Sequence, residues 1–138
     1  MLLDVNVLLA LSLEHHIHHH LAHDRFAELE SWSTCPVTES GLLRLLMTEQ
    51  VVGRKVAGSE ALAQLDALRR VQGWTFLVDS VSLAESHIDT RVLMGRRQVT
   101  ELHLVELAAS HGVSLATFDA SLKTALVPDD QHLVTVWS

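Results

Sequence analysis

This sequence predicts an α/β fold: one domain with a central parallel sheet of about four to five strands flanked by helices. Two observations carry that expectation. Short apolar runs of strand length alternate with stretches of helical spacing along the whole chain. The first and fourth of those runs also carry an acid where they end, Asp4 and Asp119. In a parallel sheet that is the rim where sites form, just outside the carboxyl ends of the strands. With 138 residues the chain has the length of one domain and can bury a core without staples. No composition shift, repeat or linker divides it, so the domain is expected to run over 1–138.

The elements follow in order. Leu2 to Val5 reads as a buried strand, and Val7 to Leu11 starts a helix. Asp4 needs a partner if buried; the alternative is that it simply caps that helix. Next comes a histidine-rich tract, His15 to His23, leading into a loose helical stripe of Leu21, Phe26, Leu29 and Trp32. Histidines four apart, such as His19 and His23, can share a metal on one helix face. The zinc-peptidase pattern is absent, however, and a solvated histidine-rich helix start is the favoured reading. Thr34–Val37 reads as a second strand holding Cys35. Thr38 is then expected as N-cap of a helix to Met47, with Glu39 in its first turn, where amide ends favour a carboxylate. Its leucines, Leu42, Leu43, Leu45 and Leu46, read mostly as core.

Gly53 and Gly58 bracket a break. Ser59–Val71 predicts a helix buried through Leu62, Leu65, Leu68 and Val71 and stopped at Gly73. Thr75–Asp79 predicts a third strand. Ser82 and Glu85 have capping-box spacing and predict a helix to about Met94. Thr100–Ala109 predicts another helix, with Thr100 as cap, Glu101 in the first turn and Gly112 as the stop. Val113–Asp119 is the fourth strand. Pro128, Asp129 and Asp130 turn the chain into a last strand, Leu133–Trp137.

The composition narrows the function. Ten Lys and Arg against 17 Asp and Glu give a formal charge of −7, so any nucleic-acid contact is local or mediated by metal. A single cysteine, Cys35, excludes an intrachain disulfide and fits a reducing compartment. A hydrophobic fraction of 48% and a mean hydropathy of +0.22 hint at a partner or oligomer surface. No stretch approaches a membrane span and no export signal is visible at the N-terminus, so a cytoplasmic address is expected.

Four acids, Asp4, Glu39, Glu101 and Asp119, fall where strands end or helices begin, on what would be one edge of a parallel sheet. Four carboxylates close together cannot all stay ionised unaided, and a divalent cation resolves that conflict. Oxygen-only ligands suit Mg²⁺ or Mn²⁺. Such a pocket can polarise a phosphate and supply hydroxide, the chemistry of phosphodiester hydrolysis. Asn6 and Thr117 stand beside the acids and could orient them. Arg96 and Arg97, just before Glu101, could grip phosphates, which an acidic protein needs local cations to do.

Leu3-Asp4-Val5-Asn6-Val7-Leu8, Pro36-Val37-Thr38-Glu39, Val99-Thr100-Glu101-Leu102-His103-Leu104 and Leu115-Ala116-Thr117-Phe118-Asp119 resemble the acidic motifs of PIN-domain ribonucleases. The likeness is strongest to the VapC toxins of toxin–antitoxin pairs. It runs from about Leu2 to Asp119, with the four motifs in register, and Trp32–Glu39 is similar to a subset of those toxins. The resemblance implies Mg²⁺-dependent (or Mn²⁺-dependent) cleavage of RNA, a cognate antitoxin and a homodimer. It implies that Asp4, Glu39, Glu101 and Asp119 hold the metal, with Asn6 and Thr117 in support. One departure stands out. The third acid is usually aspartate in that family; Glu101 reaches roughly 1.5 Å further, and Mg²⁺ tolerates little distortion.

The alternative is a catalytically weak or inactive PIN-like module that binds RNA or protein. A phospho-receiver would draw on Asp79 and Lys123 but lacks the acid expected beside Asp4. A dehalogenase-type phosphatase needs an acid where Asn6 stands.

Overall fold

The structure is a computed structural model that describes residues 1–138. Its first strand, β1 (Leu2–Leu3), consists of two fully buried leucines. Successive side chains of a strand leave opposite faces. Leu2 therefore packs with Leu102, Leu107, Leu115 and Val134, and Leu3 with Leu8, Trp32, Leu42 and Leu65. These are the two cores of the molecule, one on each side of the sheet.

The other strands are β2 (Trp32–Thr34), β3 (Trp74–Phe76), β4 (Leu115–Thr117) and β5 (Val134–Val136). All pair in parallel, in the order β3-β2-β1-β4-β5. Leu2 sits opposite both Ser33 and Leu115, so β1 is the centre of the sheet. Four helices, α1 (Val5–Ser12), α2 (His19–Ala27), α3 (Pro36–Leu46) and α5 (Gly58–Arg69), contribute to the core on the Leu3 face. α4 (Glu49–Val52) is a single turn between α3 and α5. α6 (Val99–Ser110) and α7 (Ala120–Ala125) cover the Leu2 face. No helix is long and apolar enough to cross a membrane.

The α/β class and the parallel sheet are as the sequence predicts, but several element boundaries move. β1 ends at Leu3, not Val5, because Asp4 turns the chain at once into α1. The Asp4 carboxylate accepts from Val5 N–H at 2.7 Å, and its carbonyl accepts from Val7 and Leu8. β2 ends at Thr34, and Pro36 opens α3 with Cys35 as the N-cap. Proline suits the first helical position, where its missing N–H costs nothing. Thr38 is consequently not the cap but the third helical residue, its hydroxyl reaching back to the Cys35 N–H at 3.0 Å. In α5 the buried stripe is Ala61, Leu65 and Leu68, whereas Leu62 is 56% exposed and Val71 40%. A stripe at i, i+4 and i+7 lies on one face, and Leu62 is a third of a turn away from it.

The largest correction is residues 77–98. Ser82 and Glu85 form an isolated bridge instead of opening a helix, and only two 3₁₀ turns occur, Thr90–Val92 and Arg96–Gln98. Acceptors on other elements claim the N–H groups that a helix would use. Glu106 takes those of His87 and Ile88, and Asp130 takes that of Asp89. Asp119, expected as the last residue of a strand, instead caps α7 by accepting from the Ser121 N–H at 2.9 Å.

Candidate active site

Asp4 stands at the carboxyl end of the central strand, and β4 beside it carries Thr117. The Thr117 hydroxyl donates to Asp4 Oδ2 at 2.8 Å. Thr117 Oγ1 in turn accepts from Asn6 Nδ2 at 3.0 Å and from the Asp119 N–H at 3.1 Å. A hydroxyl has one proton and two lone pairs, so Thr117 is fully used. Asn6 also accepts from the Phe118 N–H at 3.4 Å. One hydrogen-bonded unit thus joins the start of α1 to the β4–α7 corner. The structure brings Asp4, Asn6, Thr117 and Asp119 together from opposite ends of the chain.

Glu101, in the first turn of α6, lies within the field of Asp4 and Asp119. Burial raises the Asp4 carboxyl above its ordinary value, and the Asp119 charge adds to that; the bonds from Thr117 and Val5 pull it back only in part. Glu101 is likewise raised, by burial first and then by the charges of Asp119 and Asp4. The charge of Asp119 therefore acts on both Asp4 and Glu101 at the carboxyl edge of β1 and β4.

Glu39 has partners of its own. Its carboxylate accepts from the Thr34 hydroxyl at 2.7 Å and lies 3.7 Å from Arg69 Nε. Thr34 in turn accepts from Trp74 Nε1 at 2.9 Å, and the Arg69 guanidinium lies 4.2 Å over the Trp74 ring. Glu39 ties α3 to α5 and to the β3 edge of the sheet. Of the four acids expected at the site, Glu39 is thus the one engaged by Thr34 and Arg69.

The PIN domain family model matches residues 1–125. The chain is 42% identical to Ribonuclease VapC38 of Mycobacterium tuberculosis over 125 residues, covering 89% of this chain and 87% of that one. It is 41% identical over 124 residues to Ribonuclease VapC39 of the same species, covering 88% and 89%. Among solved structures, the Mycobacterium tuberculosis toxin VapC20, described as cleaving the Sarcin-Ricin loop, superposes with a TM-score of 0.64 at 13% identity. That match covers 91% of this chain and 95% of the other and extends the likeness to the fold. This chain belongs to the PIN-domain family of VapC ribonucleases.

The donors of this PIN-domain site are carboxylate oxygens, the chemistry of a hard divalent cation. No three His, Cys, Asp or Glu side chains close around a common point. Mg²⁺ does not require that, since it commonly keeps several waters and takes one or two carboxylates. The crowded charge on Asp4 and Glu101 is what such an ion relieves, so these residues fit it.

Arg96 and Arg97 lie in the exposed 3₁₀ turn that leads into α6, a few residues before Glu101, and neither is in an ion pair. The histidine tract is less solvated than its composition suggests. His19 Nδ1 lies 2.7 Å from the Ala10 carbonyl and His23 Nε2 lies 3.0 Å from that of Leu11, which docks α2 on the end of α1. His18 stacks on Phe118 at 4.5 Å.

Sequence reading missed Glu106. It is fully buried on α6 and accepts from Ser86 Oγ at 2.7 Å and from the N–H groups of His87 and Ile88. The signal was available: one acid in an otherwise apolar run, Leu104 to Ala108, must have partners if the run is buried.

Proposed function

We propose that this chain is a Mg²⁺- or Mn²⁺-dependent endoribonuclease that hydrolyses RNA phosphodiesters as the toxin of a toxin–antitoxin pair. The hydrogen-bonded unit that holds Asp4 beside Thr117 and Asp119 at the carboxyl edge of β1 and β4 is the observation that carries this reading. The names of its relatives supply the substrate class. Asp4, Glu101 and Asp119 hold the ion. Glu39, included by family likeness, contributes through its hold on Thr34 and Arg69. When bound, a divalent cation supplies Lewis acidity toward a phosphate and lowers the pKa of a coordinated water. The chain's own residues do the positioning. Thr117 fixes the orientation of the Asp4 carboxylate, and Asn6 and the Asp119 N–H fix Thr117. Arg96 and Arg97 contact RNA phosphates near the rim. A cognate antitoxin, a homodimer, a cytoplasmic address and one PIN-like domain over 1–138 complete the reading.

The rival is a PIN-like module that binds RNA or protein with little catalysis, and Glu101 in place of the usual aspartate favours it. Incubating purified protein with structured RNAs, with and without Mg²⁺ or Mn²⁺, separates the two. Cleavage is expected only with metal, and Asp4→Asn should abolish it. Absence of metal-dependent cleavage, or cleavage that survives Asp4→Asn, would overturn the enzyme reading. If Arg96→Ala with Arg97→Ala leaves RNA affinity and its salt dependence unchanged, those arginines are not phosphate contacts.

A further inference from the structure

A cleft of about 570 Å³ lies between α3 and α6, lined among others by Val5, Ser40, Gly41, Arg44 and Thr100. Val5 directly follows Asp4, and Thr100 directly precedes Glu101. Two of its lining residues are thus the immediate chain neighbours of Asp4 and Glu101. Gly41 lines it where α3 meets the start of α1: a Cβ there would fall 2.7 Å from Val5 Cγ2, so a larger residue would force the Val5 side chain to move. A second depression of about 350 Å³ shares Val37 and Thr100 with the first and adds Ser82 and His103. The two adjoin through these shared residues into a trough, and both are lined by valines together with hydroxyl side chains. The first has the volume of an ordinary small-ligand site.

Arg44 is the one cation lining this trough. Most of the chain's other arginines are already committed: Arg25, Arg54, Arg69, Arg70 and Arg91 each pair with a carboxylate. Arg44 has no such partner and is exposed. Lys55 and Lys123, also unpaired, line neither depression. In a protein of formal charge −7, an uncommitted guanidinium in a cleft lined by the sequence neighbours of Asp4 and Glu101 has one clear use. It can offset the charge of a phosphate that the acids alone would repel, and its planar fork suits phosphate oxygens.

We propose that the α3–α6 cleft seats the nucleotide flanking the scissile phosphate of RNA, with Arg44 as its phosphate-gripping residue. The proposal rests on the ribonuclease reading above and adds to it where the substrate lies. Apolar Val5 and Val37 face the base, while Ser40 and Thr100 offer hydroxyls within the same cleft for the ribose and phosphate. Arg44 reaches this place from α3, a different element from the turn that carries Arg96 and Arg97.

The test uses the full chain carrying Asp4→Asn, so that RNA is bound but not cut, and a fluorescein-labelled RNA that the wild-type protein cleaves. Fluorescence anisotropy across a salt series gives the affinity and its salt slope. Arg44→Ala is expected to weaken binding about tenfold at low salt and to reduce the log–log slope by about 0.7, one phosphate contact on a single strand. Arg44→Lys should recover the slope but not all the affinity. In the cleavage-competent chain, Arg44→Ala should raise KM with little change in kcat. Lys55→Ala should do none of this. An unchanged slope in Arg44→Ala, or an equal loss in Lys55→Ala, overturns the proposal. So does an Arg44→Ala chain that binds RNA normally but loses affinity for a protein partner, which would assign the cleft to that partner. If the wild-type chain neither binds nor cleaves RNA, the ribonuclease reading falls too; if it does both and Arg44→Ala is normal, only the placement of the nucleotide is wrong.

Discussion

The Thr117 hydroxyl donates to Asp4 Oδ2 at 2.8 Å across 113 positions of sequence. This bond fixes the carboxylate that follows the central strand to the strand beside it. It also commits all the hydrogen-bonding capacity of Thr117, because Asn6 and the Asp119 N–H donate to the same oxygen.

Thr117→Val keeps the shape and removes all three bonds. Thr117 is fully buried, so the orphaned partners should cost about 1–3 kcal/mol, read from a urea unfolding midpoint. RNA cleavage should fall more steeply than stability, and Thr117→Ser should restore both. A valine variant with wild-type cleavage would remove Thr117 from the site.

Glu39→Gln keeps an oxygen for Thr34 and gives up only the Arg69 charge pair, whose arginine is 40% exposed. A stability change below about 1 kcal/mol is expected. Metal-dependent cleavage should drop far less than in Asp4→Asn. Equal losses in the two variants would return Glu39 to the metal.

Glu101→Asp restores the side chain usual at this place in the family and should keep or raise Mg²⁺-dependent activity. A large loss would mean that the pocket is built around the longer side chain. Cleavage rates in Mg²⁺ and in Mn²⁺ decide between these outcomes.

Asp4 and Glu101 have carboxyls raised above their ordinary values. Folding therefore favours their protonated forms, and that contribution is fully present below the unfolded range, about pH 4. It is lost as pH rises through the raised values, where both groups must ionise against burial and against each other. A cation that binds the ionised pair should offset the loss by mass action. Millimolar Mg²⁺ or Mn²⁺ is expected to raise Tm near neutral pH and to leave it unchanged at about pH 3.5. The same metal shift at both pH values, or none at either, would count against binding at these acids.

Glu106 has the opposite sign. Burial alone would raise its carboxyl, but the His87 N–H and ring, the Ser86 hydroxyl and the Ile88 N–H outweigh it and hold the value low. Its contribution to stability is present above the ordinary carboxylate range and disappears as pH falls through the lowered value. Glu106→Gln loses an acceptor inside the core and should cost about 2–4 kcal/mol at neutral pH. The loss should shrink in acid, as urea melts at several pH values would reveal. A pH-independent loss would mean that packing, not charge, is what the variant disturbs.

Local pattern was enough for the α/β class and the parallel sheet, and it marked Asp4, Glu101 and Asp119 as acids at element ends. Each strand is a short apolar run, and Asp4, Glu101 and Asp119 stand where strands give way to helices, which spacing alone reveals. Glu39 shows where that stops. A first-turn acid on α3 can turn either way around the helix, and Thr34, Trp74 and Arg69, none of them its helical neighbours, determine which. The segment from 77 to 98 makes the same point for backbone. Its capping-box spacing is genuine, but Glu106 and Asp130 offer its N–H groups better partners than a helix would. Sequence by itself determines which residues are apolar, charged or able to cap. Only the tertiary structure decides which distant groups compete for them, because a buried donor or acceptor takes the partner that folding brings within 3 Å.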